Sequence, residues 1–345
     1  MSASTEKYSL KETMVDVSLI VLNYHGKEFI SDCLKSIEAQ SFKNFELIIV
    51  DNASKDSSLD LIEDFKKKSG LKIKTVYLSN NKGFAGGNIE GLRHAEGKYI
   101  ALLNNDTEAD KNWLSELVKA MDAHHAVGIC ASRLVVYGTD IIDSAGDCFS
   151  TFLKGFKRGE GEKSFLFNKM EYVFGACAGA ALYRWKTLDE IGFLDEDFFL
   201  IHEDTDLNFR AQLAGWKVLY VPEAVTYHKV RSSIGEKSDI AVYHTLRNAE
   251  YVIIKNVPLP LFLRRFPQYI LRTITEILYF AVKHGRPLLY FRAKTDAMKM
   301  LLKMMKKRKD IMRGKKVSNG YLVSIMSPVA QNGFLKKKAK KFLCG

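Results

Sequence analysis

Acidic and amide side chains stand where apolar segments of this chain end. Asn23 closes one such segment, Asp51 closes another, and Asn104, Asn105 and Asp106 close a third. If the segments are neighbouring parallel strands, their carboxyl ends meet at one edge of a sheet, where open α/β folds bind ligands. A polar rim with two carboxylates predicts a cleft for a nucleotide and a metal ion. Each residue alone would equally serve as a cap of the helix that follows it.

A glycine-rich segment, NKGFAGGN, occupies residues 81–88. Each glycine inside a helix costs about 1 kcal/mol relative to alanine, so we expect no regular helix to begin here. Glycine instead permits close approach of the backbone to a ligand. The segment has neither the GxGxxG spacing of dinucleotide-binding folds nor a GK[ST] phosphate loop, which disfavours a dehydrogenase or a P-loop NTPase.

Strand and helix patterns alternate along the first third of the chain. β-Branched apolar runs predict four strands, at residues 15–23, 45–51, 71–78 and 99–104. Apolar residues at helical spacing between 29 and 37 predict a helix after the first strand, and a capped helix ending at Lys68 follows the second. This order predicts an α/β fold with a parallel sheet covered by helices.

Charge divides the 345-residue chain into two unequal parts. The composition, 47% hydrophobic with 52 Lys and Arg against 40 Asp and Glu, excludes a disordered or fibrous chain. Residues 229–345 hold 26 basic and 6 acidic side chains and have a net charge of +20, so residues 1–228 have a net charge of −8. A mildly acidic domain followed by a basic segment predicts delivery to a polyanionic surface, either anionic lipid or nucleic acid.

Two further features concern the cellular compartment. The apolar run at residues 173–183 is shorter than the roughly 18 residues of a membrane-spanning helix, and the first residues are polar, unlike a signal peptide. The five cysteines lack the close pairing of zinc sites or disulfide frameworks. We therefore expect a cytoplasmic protein with free thiols.

Six segments in a fixed order resemble the inverting glycosyltransferases of family 2, specifically their rhamnosyltransferase-like branch. They are VSLIVLNYHG at 17–26, IIVDNASKD at 48–56, NKGFAGGN at 81–88, LLNNDT at 102–107, GFLDEDFFLIHEDTDLNFRAQLAGW at 192–216 and VPEAVTYHKVRSS at 221–233. The resemblance covers residues 15–320 and implies a GT-A fold, the Rossmann-like fold of nucleotide-diphospho-sugar transferases. The Gln-x-x-Arg-Trp motif of processive members is absent, because the segment from Gln212 to Trp216 lacks the arginine, which favours transfer of a single sugar.

The resemblance implies roles for the polar rim. Asp51 would accept a hydrogen bond from the pyrimidine ring of the donor nucleotide. Further expected donor contacts are Asn23, Asn81, Gly83, Phe84, Asn104 and Asn105. Asp106 resembles the last carboxylate of the family's Asp-x-Asp motif and would bind Mn²⁺ or Mg²⁺. Since asparagines replace the other carboxylate, we expect His228 as a further metal ligand, and imidazole favours manganese.

The acidic pair Glu203 and Asp204 begins a predicted helix, where acidic side chains also stabilise the helix dipole. Inverting transfer needs a carboxylate that takes the proton of the acceptor hydroxyl, and the resemblance places this base in the Glu-Asp pair. We expect Asp204 to be the base, with Glu203 in reserve. Asp206 and Arg210 can pair at the i, i+4 spacing. Weaker candidates for acceptor or phosphate contacts are Gly179, Arg210, Trp216 and Arg231.

Two basic amphipathic segments follow this region. Apolar residues between 269 and 282 share one helical face, and a Met-rich stretch at 298–305 runs into four cations at 306–309. Such helices lie on anionic membranes, or pack on a core or a second subunit as in a homodimer. The expected division is an N-terminal extension at 1–14, a GT-A domain at 15–235 with a nucleotide-binding half (15–110) and an acceptor half (111–235), a membrane-associating helical region at 236–316 and a mobile basic tail at 317–345.

The predicted function is transfer of a single sugar from dTDP-rhamnose or a UDP-sugar to a glycan. The acceptor is expected on a polyprenyl phosphate carrier at the inner face of the cell membrane, in cell-surface polysaccharide or glycoconjugate synthesis. A nucleic-acid-binding protein is the competing class, but the sequence has no stacking-aromatic or helix-turn-helix signature. A sugar nucleotidyltransferase is the third class, and NYHGK at 23–27 is a poor version of its phosphate loop.

Overall fold

The structure is a computed structural model and describes residues 15–229 and 238–328. Its strands are β1 (Val17–Asn23), β2 (Phe45–Asp51), β3 (Ile73–Tyr77), β4 (Tyr99–Asn104), β5 (Thr107–Ala109), β6 (Val127–Val136), β7 (Ile142–Ser144), β8 (Asp147–Phe149), β9 (Gly155–Lys157), β10 (Glu171–Val173), β11 (Ala180–Arg184) and β12 (Lys217–His228). The α-helices are α1 (Ile30–Glu38), α2 (Ser58–Lys68), α3 (Gly83–Arg93), α4 (Trp113–Ala123), α5 (Trp185–Ile191), α6 (Glu203–Leu213), α7 (Asp239–Asn256), α8 (Leu259–Glu276), α9 (Pro287–Lys299), α10 (Leu301–Arg313) and α11 (Asn319–Ile325). A π-helical segment, Ile277–Lys283, continues α8.

One mixed sheet runs through the molecule in the order β10-β12-β6-β11-β4-β1-β2-β3, with β5 paired to β12 and β7 paired to β6. The four strands β4, β1, β2 and β3 are parallel, as the sequence predicts. Every residue of β2 is buried, because helices cover both faces of the sheet. In the register of this sheet Asn23 lies beside Asp51, and Leu22 lies beside Asn104. The predicted polar rim is therefore confirmed.

The glycine-rich segment forms helix α3, so the expectation that no helix begins there is wrong. The helix crosses the sheet at very short range. A Cβ atom added to Gly87 would lie 2.4 Å from Leu22 Cδ1, and one added to Gly91 would lie 2.6 Å from Ile20 Cγ2. Close packing of the helix on the sheet outweighs the low helix propensity of glycine. The backbone approach that these two glycines permit is to the sheet and not to a ligand.

The second half of the sheet changes direction. Strand β11 is antiparallel to both β4 and β6, while the long β12 is parallel to β6 and antiparallel to β5. Strand β5 begins directly after Asp106, and its pairing places Thr107 opposite His228. The end of β12, which lies more than 100 residues after β4 in sequence, is thus brought to the carboxyl end of β4.

Helices α7 to α11 pack against the sheet domain and share a core with it. Phe209 of α6 belongs to the same buried cluster as Tyr251 of α7, Met304 of α10 and Leu322 of α11. Helix α11 lies within residues 317–345, which the sequence predicts to be a mobile tail, so this prediction is wrong for residues 319–325. The buried Leu322 explains the order of this helix. Among the described residues, no helix combines the length and the apolarity needed to cross a bilayer.

We expect Gly91→Val to destabilise the fold, because the new side chain would collide with Ile20 and with Val50 Cγ2, 3.1 Å from its Cβ. Overpacking of this kind costs roughly 2–3 kcal/mol. The free energy of unfolding from urea titration is the measurement. Gly70→Val is the matched control, since a Cβ atom at Gly70 has no neighbour within 4 Å. Equal stability of the two variants would contradict close packing of α3 on the sheet.

Candidate active site

A cleft of about 580 Å³ opens at the carboxyl ends of β1, β2 and β4. Residues of the β8–β9 ribbon and of the first turn of α6 also line it. Ten residues that the sequence predicts for the site line this cleft, namely Asn81, Gly83, Phe84, Asn104, Asn105, Asp106, Gly179, Glu203, Asp204 and His228. The fold therefore gathers residues from both halves of the predicted GT-A domain around one volume.

One end of the cleft is built by amide side chains. Asn52 Nδ2 donates to Asn81 Oδ1 at 2.9 Å, and Lys82 N donates to Asn52 Oδ1 at 2.8 Å. Gly83 has a φ of +70° and lies against the backbone of Phe199, so only glycine fits there without strain. Asn52 follows Asp51 at the end of the same strand and so belongs to the polar rim that the sequence predicts, although no role was predicted for it.

Asn23 and Asp51 lie beneath the surface of the cleft and support it. Asp51 is 2% exposed, and its two carboxylate oxygens accept hydrogen bonds from Asn23 Nδ2 (2.8 Å) and Ser54 N (2.9 Å). Asn23 Oδ1 in turn accepts from Asn105 Nδ2 at 3.0 Å. Asp51 thus holds the loop before α2 and does not cap that helix, which begins at Ser58, and neither Asp51 nor Asn23 is among the residues that line the cleft. Contact of Asp51 with a base stays a prediction.

A chain of ionisable side chains crosses the floor of the cleft. His228 Nε2 lies 3.3 Å from Asp106 Oδ1, and His228 Nδ1 lies 2.9 Å from Asp143 Oδ2. Lys157 Nζ lies 2.7 Å from the other oxygen of Asp143. Burial acts to lower the pKa of His228, but the hydrogen bonds to the two carboxylates outweigh it and raise this pKa to about 9. Asp143 thus orients the imidazole so that Nε2 faces Asp106.

The acidic pair begins α6, after His202 in a left-handed conformation (φ +71°). Asp204 Oδ1 accepts from the backbone N–H of Thr205 at 2.6 Å, and Oδ2 lies 3.5 Å from the N–H of Ala178. Glu203 Oε2 is buried and has no hydrogen-bond partner among the residues described. Burial raises the pKa of Asp204, and burial together with the charge of Asp204 raises the pKa of Glu203 well above its usual range. Carboxylates with raised pKa values are suited to proton transfer near neutral pH.

Two charged residues of the cleft, Asp147 and Lys157, lie on the β8–β9 ribbon and were missed by the sequence analysis. Both side chains line the same volume as Asp204. Burial and the neighbouring charge of Asp204 raise the pKa of Asp147 well above its usual range. No sequence motif marks either residue, because the ribbon reaches the cleft through tertiary contacts such as the pairing of Asp147 with Gly175 and of Lys157 with Asp143.

Two of the weaker candidates, Arg210 and Trp216, do not line the cleft. Arg210 is buried, lies 2.9 Å from Asp206 and donates to the backbone carbonyls of residues 191–193, so its predicted role in acceptor or phosphate binding is wrong. Its i, i+4 pairing with Asp206 is confirmed. Trp216 Nε1 donates to Glu190 at 3.0 Å, away from the residues that line the cleft. Arg231 lies outside the described residues.

The mixed α/β sheet places its polar cleft at the carboxyl ends of parallel strands, where open α/β folds bind ligands. The model of the glycosyl transferase family 2 matches residues 18–192, which is half of the chain. The chain belongs to this family. Among curated relatives, the amylovoran biosynthesis glycosyltransferase AmsB of Erwinia amylovora is 29% identical over 63% of this chain and 70% of its own length. The chain spans 41% and 51% of the length of two further curated relatives.

Solved structures show the same fold. The Staphylococcus aureus protein TarS, residues 1–349, in complex with UDP-GlcNAc superposes with a TM-score of 0.56 at 18% identity, covering 87% of this chain and 90% of that one. GalNAc-T7 with UDP, GalNAc and Mn²⁺ superposes with a TM-score of 0.58 at 16% identity, covering 71% of this chain and 48% of that one. These similarities establish a GT-A-like architecture, as the sequence predicts. They do not distinguish a rhamnosyltransferase-like branch.

We expect the imidazole of His202 to stay neutral in the folded protein down to about pH 4. Burial, with Lys154 and Arg272 nearby, lowers its pKa to about 3. Because the unfolded chain takes up this proton near pH 6.5 and the folded protein does not, the free energy of unfolding should fall as pH drops below 6.5.

An NMR titration that resolves the His202 ring resonances measures this pKa, and the same ring in urea is the control. A folded-state midpoint near 6.5 would contradict the buried, uncharged environment seen here.

Proposed function

We propose that this family 2 member transfers a single sugar, with inversion, from a nucleotide-diphosphate sugar to a hydroxyl group of a glycan. The observation that carries the proposal is that Asp106, Asp204 and His228, from three distant segments, line one cleft. The UDP-GlcNAc complex of TarS supports a UDP-sugar as donor, and the name of AmsB supports a role in polysaccharide synthesis. dTDP-rhamnose is the alternative donor.

Asp204 is the proposed base. Its carboxylate takes the proton from the acceptor oxygen while that oxygen attacks the anomeric carbon. The bond between the anomeric carbon and the diphosphate oxygen breaks, and the nucleoside diphosphate leaves with the electron pair. The N–H groups of Thr205 and Ala178 hold the carboxylate of Asp204 toward the cleft, and its raised pKa makes it a stronger base. Glu203, buried beside it, is the reserve candidate.

Asp106 and His228 are the proposed ligands of a divalent cation. A carboxylate oxygen and an imidazole nitrogen at 3.3 Å in the wall of the cleft are a donor set that Mn²⁺ accepts. Among the described residues, no group of three or more His, Cys, Asp and Glu side chains could hold a metal, so these two donors suit an open site that the donor diphosphate would complete. When bound, the cation would neutralise charge on the diphosphate leaving group.

The proposed acceptor is a glycan on a polyprenyl phosphate carrier at the inner face of the cell membrane. Small residues at the acceptor side of the cleft, Ala178 and Gly179, leave room for a sugar ring beside Asp204. A Cβ atom on Gly179 would lie 3.1 Å from the amide of Asn104, so a larger residue would narrow the passage between the donor and acceptor ends.

We expect Asp204→Asn to lower the rate constant of sugar transfer by roughly 10²–10⁴-fold, because the amide cannot accept the proton. A panel of UDP-, dTDP- and GDP-sugars with Mn²⁺ in a thermal-shift assay should give the same change in Tm for this variant and the parent. Since the pKa of Asp204 is raised, the transfer rate of the parent should fall as pH drops through a value above about 4.

Glu203→Gln is the matched control for Asp204→Asn. A larger rate loss in Glu203→Gln than in Asp204→Asn would move the base to Glu203. Absence of any Tm change with every nucleotide sugar would contradict donor binding altogether.

We expect Asp143→Asn to weaken Mn²⁺ binding about 10–100-fold, because the amide no longer holds His228 Nδ1 in the orientation that directs Nε2 to Asp106. Isothermal titration of Mn²⁺ in the presence of UDP measures this affinity without turnover. Asp140→Asn is the control, since Asp140 pairs at the surface with Lys163. Equal affinity in the two variants would remove Asp143 from the metal site.

A further inference from the structure

Helix α8 and the π-helical segment after it expose a continuous apolar stripe. Its members recur every three or four residues and lie on one side of the helix, and each is at least 40% exposed: Leu259, Leu263, Phe266, Ile270, Ile274, Leu278 and Val282. Leu271, 50% exposed, widens the stripe. At about 1.5 Å per helical residue the stripe is roughly 35 Å long. An exposed apolar surface of this extent in a globular protein marks an interaction site.

The opposite side of the same helix is buried and charged. Arg272 lies 2.6 Å from Glu250 of α7, and Glu276 lies 2.9 Å from Lys294 of α9. Both α8 residues are less than 10% exposed. The helix therefore buries the charged Arg272 and Glu276 and exposes its apolar stripe, which is the reverse of the usual order in a water-soluble domain. Packing against the other residues that the structure describes leaves the stripe uncovered.

Helices α9 and α10 also expose apolar residues and cations. Leu288 is 86% exposed and Leu302 is 84% exposed. Exposed cations of α8, α9 and α10 include Arg264, Arg292, Lys299, Lys303 and Lys306, of which Lys299 and Lys303 pair with Asp296 and Asp197. Across residues 259–313 the sequence has 14 Lys and Arg against three Asp and Glu. We refer to the stripe, Leu288, Leu302 and these cations together as the outer surface.

We propose that the outer surface docks on an anionic lipid bilayer, with the apolar stripe at the boundary between headgroups and acyl chains. A helix that lies in this boundary buries its apolar side in the lipid and keeps flanking lysines and arginines at the phosphate level. The pattern of the outer surface meets both requirements. Its net positive charge is complementary to an anionic leaflet.

A second copy of the chain is a poorer occupant. In a twofold dimer the same patch meets itself, so the cations around the stripe would face cations of the other copy. The C-terminal residues 329–345 are also unsuited, because they carry five lysines and no acidic residue. Their charge would instead add to the attraction to anionic lipid.

The outer surface adjoins the catalytic cleft through α7. Ala241 and Thr245 of this helix line the cleft, while Val242 and Leu246 pack with Tyr290 of α9. A bilayer under the outer surface would therefore lie one helix away from the cleft. This part of the inference rests on the proposed function, since it explains how a lipid-linked acceptor would reach Asp204.

Sedimentation of the full chain with vesicles tests the proposal. Vesicles of phosphatidylcholine with 30% phosphatidylglycerol should bind the protein, and raised salt should weaken binding because the flanking charges are screened. The triple variant Leu263→Ser, Ile274→Ser, Leu278→Ser should lose at least tenfold in partition coefficient. Arg264→Gln should lose about fivefold, the equivalent of one cation near an anionic surface.

The matched control replaces three exposed apolar residues elsewhere, Phe165→Ser, Leu166→Ser and Met170→Ser, and should leave vesicle binding unchanged. Equal binding of the two triple variants, or no binding to anionic vesicles, would overturn the proposal. A dimer in analytical ultracentrifugation that the first triple variant abolishes would assign the surface to a second copy instead. Tm changes with nucleotide sugars in the same preparations keep a failure of membrane docking separate from a failure of donor binding.

Discussion

The parallel register of β1 between β2 and β4 is the constraint on which the cleft depends. Buried strands must pair all their backbone N–H and C=O groups, and a slip of one residue would turn every side chain to the other face. With this register Asn23 lies beside Asp51, and Asn105 reaches Asn23 from the end of β4. The polar rim is thus held from below by hydrogen bonds between strand ends.

A second constraint brings the late part of the chain to this rim. Pairing of β12 with β5 carries His228 to Asp106, and Asp143 holds the imidazole from the other side. Burial by itself would raise the pKa of Asp143. The neighbouring His228 and Lys157 outweigh burial and lower this pKa to about 2. The floor of the cleft is therefore a balanced set of charges rather than an isolated carboxylate.

The helical region supports the acidic pair through α6. Asp206, two residues after Asp204, accepts hydrogen bonds from Asn256 and Arg210 and lies 2.8 Å from Lys255 of α7. Breaking a buried network of this kind by removing one partner leaves an uncompensated charge, so the first turn of α6 is firmly held. Helix α7 thereby holds the helix of the proposed base through Lys255 and also packs against α9, which has exposed apolar residues.

Local patterns in the sequence were sufficient for the nucleotide-binding half and for the polar residues at its strand ends, whereas Glu203, Asp204 and His228 were expected from the family resemblance. Apolar runs of β-branched residues predict β1 to β4 because burial on both faces leaves little choice of residue, and strand ends predict Asn104 to Asp106.

The helix at Gly83–Arg93 was not predictable from propensity, because the contacts of Gly87 and Gly91 with the sheet exist only after packing. The roles of Asp143, Asp147 and Lys157 also depend on packing, as no motif marks them. Arg210 lies close in sequence to the acidic residues of the cleft. Only the tertiary structure decides which carboxylate neutralises its charge, and it pairs Arg210 with Asp206. The sequence determined which residue types lie at the strand ends. The non-local pairing of β12 and the packing of α7 decided which residues line the same cleft.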